Sequence, residues 1–439
     1  MLQLLSLVDE LLLLRRMNDP NGLFYDPVHK KHHIMYQWCE GPGTPPNNGA
    51  TGTPCTYRAW GHAASANLLS WTQLDVALDP NATGAAGLGV CGEAPLVSPW
   101  SGSATVLDDP QRTPVLSFAP PTGCDAIQVI SSPDGLTNWS LASTAEHPSR
   151  HCSACTSRNC TTCTSKACTG RLMPGKSLLM AMPSFVECPG FSKLPQRAIA
   201  AAGVPSKVSH LIKASFRYLN DGRTKAHGDF WATGKYDDAI VRFTPHGERD
   251  LGSAGRTFDF SGNTYAGKSF YDTSTGRQIF YSWLAFHGPR PGLVGVQTLP
   301  REILLDSDGV RVRTPPIAEL QRLRGKHSRA ADVSVSAGAS YPLAEARGGS
   351  LEVLALLHVP SGVFDCAMKL GAAAGLQGTV LGLSREASGA AVIAYLVPAN
   401  SSSSHSAALP ATVDLMKPVP LQVFLVSFNT DSYLQFRSK

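Results

Sequence analysis

The chain has 439 residues, 43% of them hydrophobic and 16% charged, with a formal net charge of +5. That length exceeds one compact core and predicts two domains, and the composition is globular rather than disordered. Lys and Arg are scattered, with no basic stripe, which argues against a nucleic-acid partner, and no apolar run is long enough to cross a bilayer, which argues against a membrane span.

The first sixteen residues, "MLQLLSLVDELLLLRR", resemble a poor signal peptide. Asp9 and Glu10 break the apolar stretch, and the positive charges follow it instead of preceding it. An equal reading is that the true N-terminus is absent from this sequence. Sequons begin at Asn81, Asn138, Asn159 and Asn400 and suit a secreted or vacuolar glycoprotein. Eleven cysteines are an odd count, so at least one thiol is left over if the others pair.

Next comes "RRMNDPNGLFYDP" (15–27), in which Asp19 lies between Asn18 and Pro20, ahead of Asn21-Gly22. These residue types favour turns, each for its own reason. The alternative is a carboxylate held still for chemistry. Beyond it, strand signals dominate: "HHIMYQW" (32–38), "TPVLSF" (113–118), "DAIQVISS" (125–132), "DFWATGKY" (229–236) and "RQIFYSWLAF" (277–286). They are short, rich in β-branched and aromatic residues, and separated by Gly, Pro, Asn and Asp. The best helical candidate is the brief "IAELQRLRG" at 317–325. Many short strands without helices predict a propeller, barrel or sandwich, although no repeat of fixed period supports the propeller from pattern alone.

The stretch "GKHSRAADVSVSAGAS" (325–340) predicts a linker, so the division is a first domain over 1–325 and a second all-β domain over 326–439. The second contains "SLEVLALLHV", "AAVIAYLV" and "PLQVFLVSF", with a flexible "ANSSSSHSAA" loop at 399–408.

A search for a second constrained carboxylate finds Glu187 in "PSFVECPGF". Alone, such a glutamate is more often a solvated residue at a strand end. Together, "MNDPNG" and "ECP" resemble the glycoside hydrolase family of invertases, inulinases, levanases and plant fructan enzymes. Further phrases follow in that family's order. "HHIMYQW" looks like the strand that presents Gln37 to the sugar, and "AWGHAASANLLSW" (59–71) is similar to a Trp-Gly-His segment, with Asn67 where an Asp is usual. "WSGSATV" (100–106) matches a Ser-Gly-Ser segment. "FDFSGNTYAGKSFYD" (258–272) and the stretch over 282–305 resemble the fourth and fifth blades.

The resemblance implies a five-bladed β-propeller followed by a β-sandwich, with substrate entering the propeller axis. It implies retaining hydrolysis of a fructofuranosyl bond by two carboxyl groups about 5–5.5 Å apart. Asp19 matches the nucleophile and Glu187 the general acid/base, next to Cys188, whose thiol could tune its proton affinity. Asn18, Gln37, Trp60 and Ser103 occupy sugar-binding positions, with Trp38 and Tyr265 as weaker additions for which core packing is the alternative. No metal or organic cofactor is required; the expected partner is a small sugar, sucrose or a fructo-oligosaccharide.

The chain departs from the family pattern in three further places. Arg16 stands where an aromatic residue usually precedes "MNDPNG". The chain ends at Lys439, sooner than a full family sandwich would. The family's third carboxylate, in an Arg-Asp-Pro motif, has only Arg158-Asn159 as its echo. An Asn there hydrogen-bonds hydroxyls without the charge that strengthens such bonds. That echo lies in "HCSACTSRNCTTCTSKAC" (151–168), whose two Cys-x-x-Cys pairs invite a zinc reading. Four intervening residues leave little chain to close such a site, so a disulfide-bonded insertion, or a segment distorted by gene prediction, is preferred. The expected function is a β-fructofuranosidase, with a fructosyltransferase as a close variant. The alternative is a fructoside-binding propeller impaired in catalysis.

Overall fold

The structure is a computed structural model. It describes residues 16–39, 59–78, 99–118, 128–131, 139–141, 186–217, 227–240, 242–247, 257–259, 264–287, 294–341, 350–370, 379–387, 391–397, 405–409, 415–428 and 431–438. These residues are mostly strand, as the alternating β-branched and aromatic runs predict. Two compact units divide the chain, residues 2–317 and 318–439.

In the first unit the strands fall into antiparallel groups. β1 (Arg16–Asp26), β2 (Lys31–Cys39), β3 (Ala59–Ser65) and β4 (Thr72–Leu78) pair in sequence. β5 (Gly102–Val106), β6 (Pro114–Phe118), β7 (Gln128–Ser131) and β8 (Ser140–Leu141) form a second group. A third consists of β9 (Val186–Lys193), β10 (His210–Arg217), β11 (His227–Asp237) and β12 (Arg242–Pro245). β13 (Thr264–Asp272), β14 (Arg277–His287), β15 (Val294–Gln297) and β16 (Arg301–Glu302) complete the unit's larger strands. β15 also pairs in parallel with β1, Arg16 opposite Val294, so the fourth group and the first make one sheet.

Burial falls off toward the last strand of the first and third groups. Every residue of β3 is buried, whereas β4 starts exposed and β12 is largely so. A strand covered on both faces is apolar or paired throughout, and an outer strand can meet water. Phe24, Met35, Trp60, Leu78, Leu116 and Phe118 form one core cluster between the first two groups. Leu194, Leu211, Trp231, Phe280, Ile303 and Leu305 form another between the last two.

The stretch around Asp19 is strand, not turn. β1 runs through it, and its register against β2 slips twice, between Met17 and Pro20 and between Asn21 and Phe24. Pro20 cannot donate to the ladder, and Gly22 takes a φ of +50°, so the residues that favour turns create bulges instead. The turn comes afterwards, where the Asp26 carboxylate accepts from the Val28 and His29 amides at 2.8 and 3.2 Å. Asn67 makes a similar turn, accepting from Leu69 and Ser70 at 2.9 and 2.8 Å. Only an oxygen is used there, which accounts for Asn standing in for Asp.

The 317–325 candidate forms a 3-10 helix, Ala318–Leu323. One helical turn that pattern reading missed, Gln196–Ala200, follows Pro195, whose fixed φ suits a helix start. Residues 326–341 are exposed and carry no strand. In the second unit, Ser350–Leu357, Val419–Phe428 and Asp431–Ser438 make a three-stranded sheet. Phe364–Leu370, Thr379–Arg385, Ile393–Val397 and His405–Ala408 make a four-stranded one, and Leu381 packs on Val423 in its core.

Candidate active site

Asp19 projects from the first bulge of β1. Its Oδ2 accepts a 2.5 Å hydrogen bond from the Ser101 hydroxyl, and the Cys188 thiol lies 3.6 Å from the same oxygen. Gln37, on β2, donates from Nε2 to Ser101 Oγ at 3.2 Å. An amide, a hydroxyl and a carboxylate thus form one chain, and each link fixes the rotamer of the next. Behind it, Asn21 Oδ1 accepts from the Gly102 amide at 3.1 Å. Gln297 Nε2, at the end of β15, donates to the Asn18 carbonyl at 2.6 Å.

The segment before β5 has to come close to the β1–β3 sheet. A Cβ on Gly102 would sit 2.1 Å from the Ser117 carbonyl and 2.6 Å from the Trp60 ring, so only glycine fits. Trp60 is fully buried, and its Nε1 donates to the Trp100 carbonyl at 3.0 Å. It braces the Ser101 segment from below. Trp38 and Tyr265 are also buried, at 7% and 2% exposure. Tyr265 packs with Cys188, Ala266 and Trp283, which is the core-packing alternative considered for it.

Glu187 is placed by its backbone: it lies in β9, opposite Ser215 of β10, and its side chain is outside the described residues. Cys188, the next residue, has a φ of +48°, and the β9–β10 register slips between Lys213 and Ser215. Ala266 has a φ of +56°, at the corresponding slip of β13 against β14. Non-glycine residues rarely take this left-handed conformation. Three strands therefore carry a bulge where they approach Asp19 or its neighbours, the kind of place where a ladder is broken to re-aim side chains.

Beneath these bulges lies a set of buried charges that no motif announced. Asp229 is fully buried and accepts from Ser215 Oγ at 2.6 Å, from the Gly267 amide at 3.0 Å and from the Ser282 hydroxyl, while Lys213 Nζ lies 2.8 Å away. Burial raises its proton affinity; the Lys213 ammonium and the hydrogen bonds from Lys213, Ser215 and Ser282 outweigh that and hold the carboxyl below its usual range. Lys213 also donates to the Cys188 carbonyl at 3.1 Å and to Ser215 Oγ at 2.9 Å. Lys268 Nζ reaches Ser103 Oγ at 3.3 Å and the Pro189 carbonyl at 3.4 Å. The signal for these residues was present but faint: lone charges inside "HLIKASF", "HGDFWAT" and "YAGKSFYD", strands whose other residues belong in a core.

Of the predicted residues, Asp19, Gln37 and Ser103 gather here with the backbone of Asn18 and Glu187, and Trp60 lies beneath. Ser101, two positions before the chosen Ser103, is the hydroxyl that meets Asp19. Arg158 and Asn159, and the whole cysteine-rich segment, are outside the described residues. Among the described residues no group of three or more His, Cys, Asp or Glu side chains is placed to hold a metal ion.

Comparison with known proteins decides the family. The Glycosyl hydrolases family 32 N-terminal domain matches residues 15–146 and 173–316. The chain belongs to glycosyl hydrolase family 32. The match skips residues 147–172, which include Arg158 and Asn159. Among curated relatives, the chain is 26% identical to a fructan 6-exohydrolase from Triticum aestivum, over 78% of this chain and 62% of that protein. It is 27% identical to β-fructofuranosidase 1 from Zea mays, over 81% and 58%. The chain thus spans about 60% of the length of these relatives. Its fold is similar to exo-inulinase from Aspergillus awamori (TM-score 0.57, 16% identity, 97% of this chain and 89% of that one). It is also similar to a family 32 β-fructofuranosidase from Bombyx mori solved with sucrose (TM-score 0.58, 16% identity, 96% and 89%).

Proposed function

We propose that this family 32 chain is a retaining β-fructofuranosidase that releases terminal fructose from sucrose or fructans. One observation carries the reading. The carboxylate of "MNDPNG" and the thiol of "ECP" are 169 positions apart in sequence and in contact in space, which supports Glu187, the residue preceding that thiol, as the partner of Asp19. The architecture we propose is a five-bladed propeller followed in the chain by a β-sandwich; the parallel pairing of β15 with β1 and the sheet-wise grouping of the other strands support it.

The proposed mechanism is double displacement. Asp19 attacks the anomeric carbon of the fructosyl unit while Glu187 protonates the departing glycosidic oxygen. Glu187 then takes a proton from water, which attacks the same carbon, releases fructose and restores Asp19. An ionised nucleophile needs donors, and Ser101, oriented by Gln37, is one within 2.5 Å. Asn18, Gln37, Ser103, Arg158 and Asn159 would hold the sugar, with Trp60 bracing the floor. With Asn159 in place of a carboxylate, the transition state loses an electrostatic group, at a cost on the order of 10²- to 10³-fold in rate. Relatives named as fructan exohydrolase and β-fructofuranosidase support the substrate class, and sequons suit a secreted or vacuolar site of action.

Purified protein is expected to release fructose from sucrose, and Asp19→Ala and Glu187→Ala are each expected to abolish that release. Sucrose binding seen by calorimetry, with no fructose from the wild type, would replace the enzyme by a fructoside-binding protein.

A further inference from the structure

Cys188 and Ala266 hold left-handed backbones, with φ of +48° and +56°, where β9 and β13 lose register. A residue other than glycine keeps such a backbone only where its surroundings over-determine it. The two bulges meet: Cys188 and Ala266 pack in one buried cluster with Tyr265 and Trp283. One set of polar groups holds both.

Lys213 Nζ donates to the Cys188 carbonyl at 3.1 Å, and Ser215 Oγ accepts from the Ala266 amide at 3.1 Å. Lys213 and Ser215 are joined directly, Nζ to Oγ at 2.9 Å, and both close on Asp229, at 2.8 and 2.6 Å. Each Asp229 oxygen also accepts from the Gly267 amide, next to Ala266, at 3.0 Å. Lys213, Ser215 and Asp229 are all 5% exposed or less. A buried ion pair alone is weak evidence for stability, because apolar residues of similar volume often serve as well. What such residues could not replace are hydrogen bonds that end on the backbone of two bulges. One bulge carries the Cys188 thiol to 3.6 Å from Asp19 Oδ2, and Ser215 is itself the residue opposite Glu187 in the pairing of β9 with β10.

We propose that Lys213, Ser215 and Asp229 are positioning residues for fructosyl transfer: together they clamp the Cys188 and Ala266 bulges and so set the β9 backbone, at Glu187 and Cys188, against Asp19. This inference rests on the hydrolase reading of Asp19 and Glu187. Each of the three acts through the backbone it holds. Without the clamp the β9 bulge relaxes toward ordinary strand geometry, and a displacement of about 1 Å at a reacting group costs on the order of 100-fold in rate.

The test is steady-state kinetics on sucrose, thermal unfolding, and alkylation of the Cys188 thiol read from the mass of its peptide, for Lys213→Met, Asp229→Asn and the two combined. Each single change strands one buried charge and is expected to lower the unfolding temperature; the combined variant strands none and is expected to regain most of it. Its Cys188 carbonyl has still lost its donor. Its kcat is therefore expected to stay about 10- to 100-fold below wild type, with KM within about twofold, and its Cys188 to be alkylated faster. Ser215→Ala, which removes no charge, is expected to show the same split and carries the comparison should the charge variants prove insoluble. Wild-type kcat in the combined variant or in Ser215→Ala would overturn the clamp and leave an ion pair that only balances charge. Should the wild type release no fructose, the hydrolase reading fails and alkylation decides the clamp: a faster rate in the variants upholds it, an unchanged rate overturns it.

Discussion

Ser101 does two things with one hydroxyl: it donates to Asp19 Oδ2 and accepts from Gln37 Nε2. A hydrogen bond to a charged group contributes roughly 1.5–3 kcal/mol. Ser101→Ala is therefore expected to lower kcat for fructose release by about 10- to 100-fold and to lower the thermal unfolding temperature as well. Initial rates against sucrose measure it, and a rate within about twofold of wild type would remove Ser101 from the site. Asp19 itself was legible, because its neighbours form a phrase too specific to arise from turn chemistry alone. The choice between Ser101 and Ser103 was not, since both belong to one motif and the partner lies 82 residues away. Trp60 illustrates a further limit: an aromatic next to a glycine can face a sugar or the core, and its depth is set by Phe118 and Gly102, which belong to another sheet.

At the scale of elements, β2 and β3 place two histidines in contact inside the protein. His33 Nδ1 lies 2.8 Å from His62 Nε2, and both residues are fully buried. Burial pushes His33 down to about 3, helped by neighbouring His62 and Lys31, and burial pushes His62 down to about 4. Both are neutral in the folded protein, whereas an unfolded chain protonates its histidines near pH 6.5. Between those values the unfolded state binds more protons, so the stability contributed by the pair is complete above about pH 6.5 and is lost as the pH falls toward 4 and then 3. The loss should reach a few kcal/mol. His62→Phe is expected to flatten the fall in thermal unfolding temperature between pH 7 and pH 4; a fall as steep as that of wild type would contradict it. The strands themselves were plain in the sequence, because period-two alternation is a local property. The bulges at Cys188 and Ala266 were not, since a bulge is defined by the partner strand against which register slips.

At the scale of the molecule, the candidate site draws Asp19, Ser101, Cys188 and Lys268 from four groups of strands, linked by hydrogen bonds across 82 to 169 positions. No single group of strands contains it. Loss of activity and loss of far-ultraviolet β signal are therefore expected to coincide in urea, at least for the unit over 2–317. Activity lost well before the strands melt would show a site held by a separate, weaker part. The same long-range pairings explain why length and strand pattern predicted two domains and a β fold but no list of contacts: every strand competes for partners, and the winners are decided only when all are present.

The hydrogen bond from Gln297 to the Asn18 carbonyl has a consequence in time. It joins residues 279 positions apart, the later one being next to the end of the first unit's strands. During synthesis the segment carrying Asp19 leaves the ribosome ahead of Gln297, and at about 5–20 residues per second it waits on the order of tens of seconds for that partner. Until then nothing fixes the backbone beside the carboxylate from that side. A nascent chain would therefore carry the Asp19 carboxylate through the synthesis of most of that unit without its full set of supports, the last of which arrives with β15.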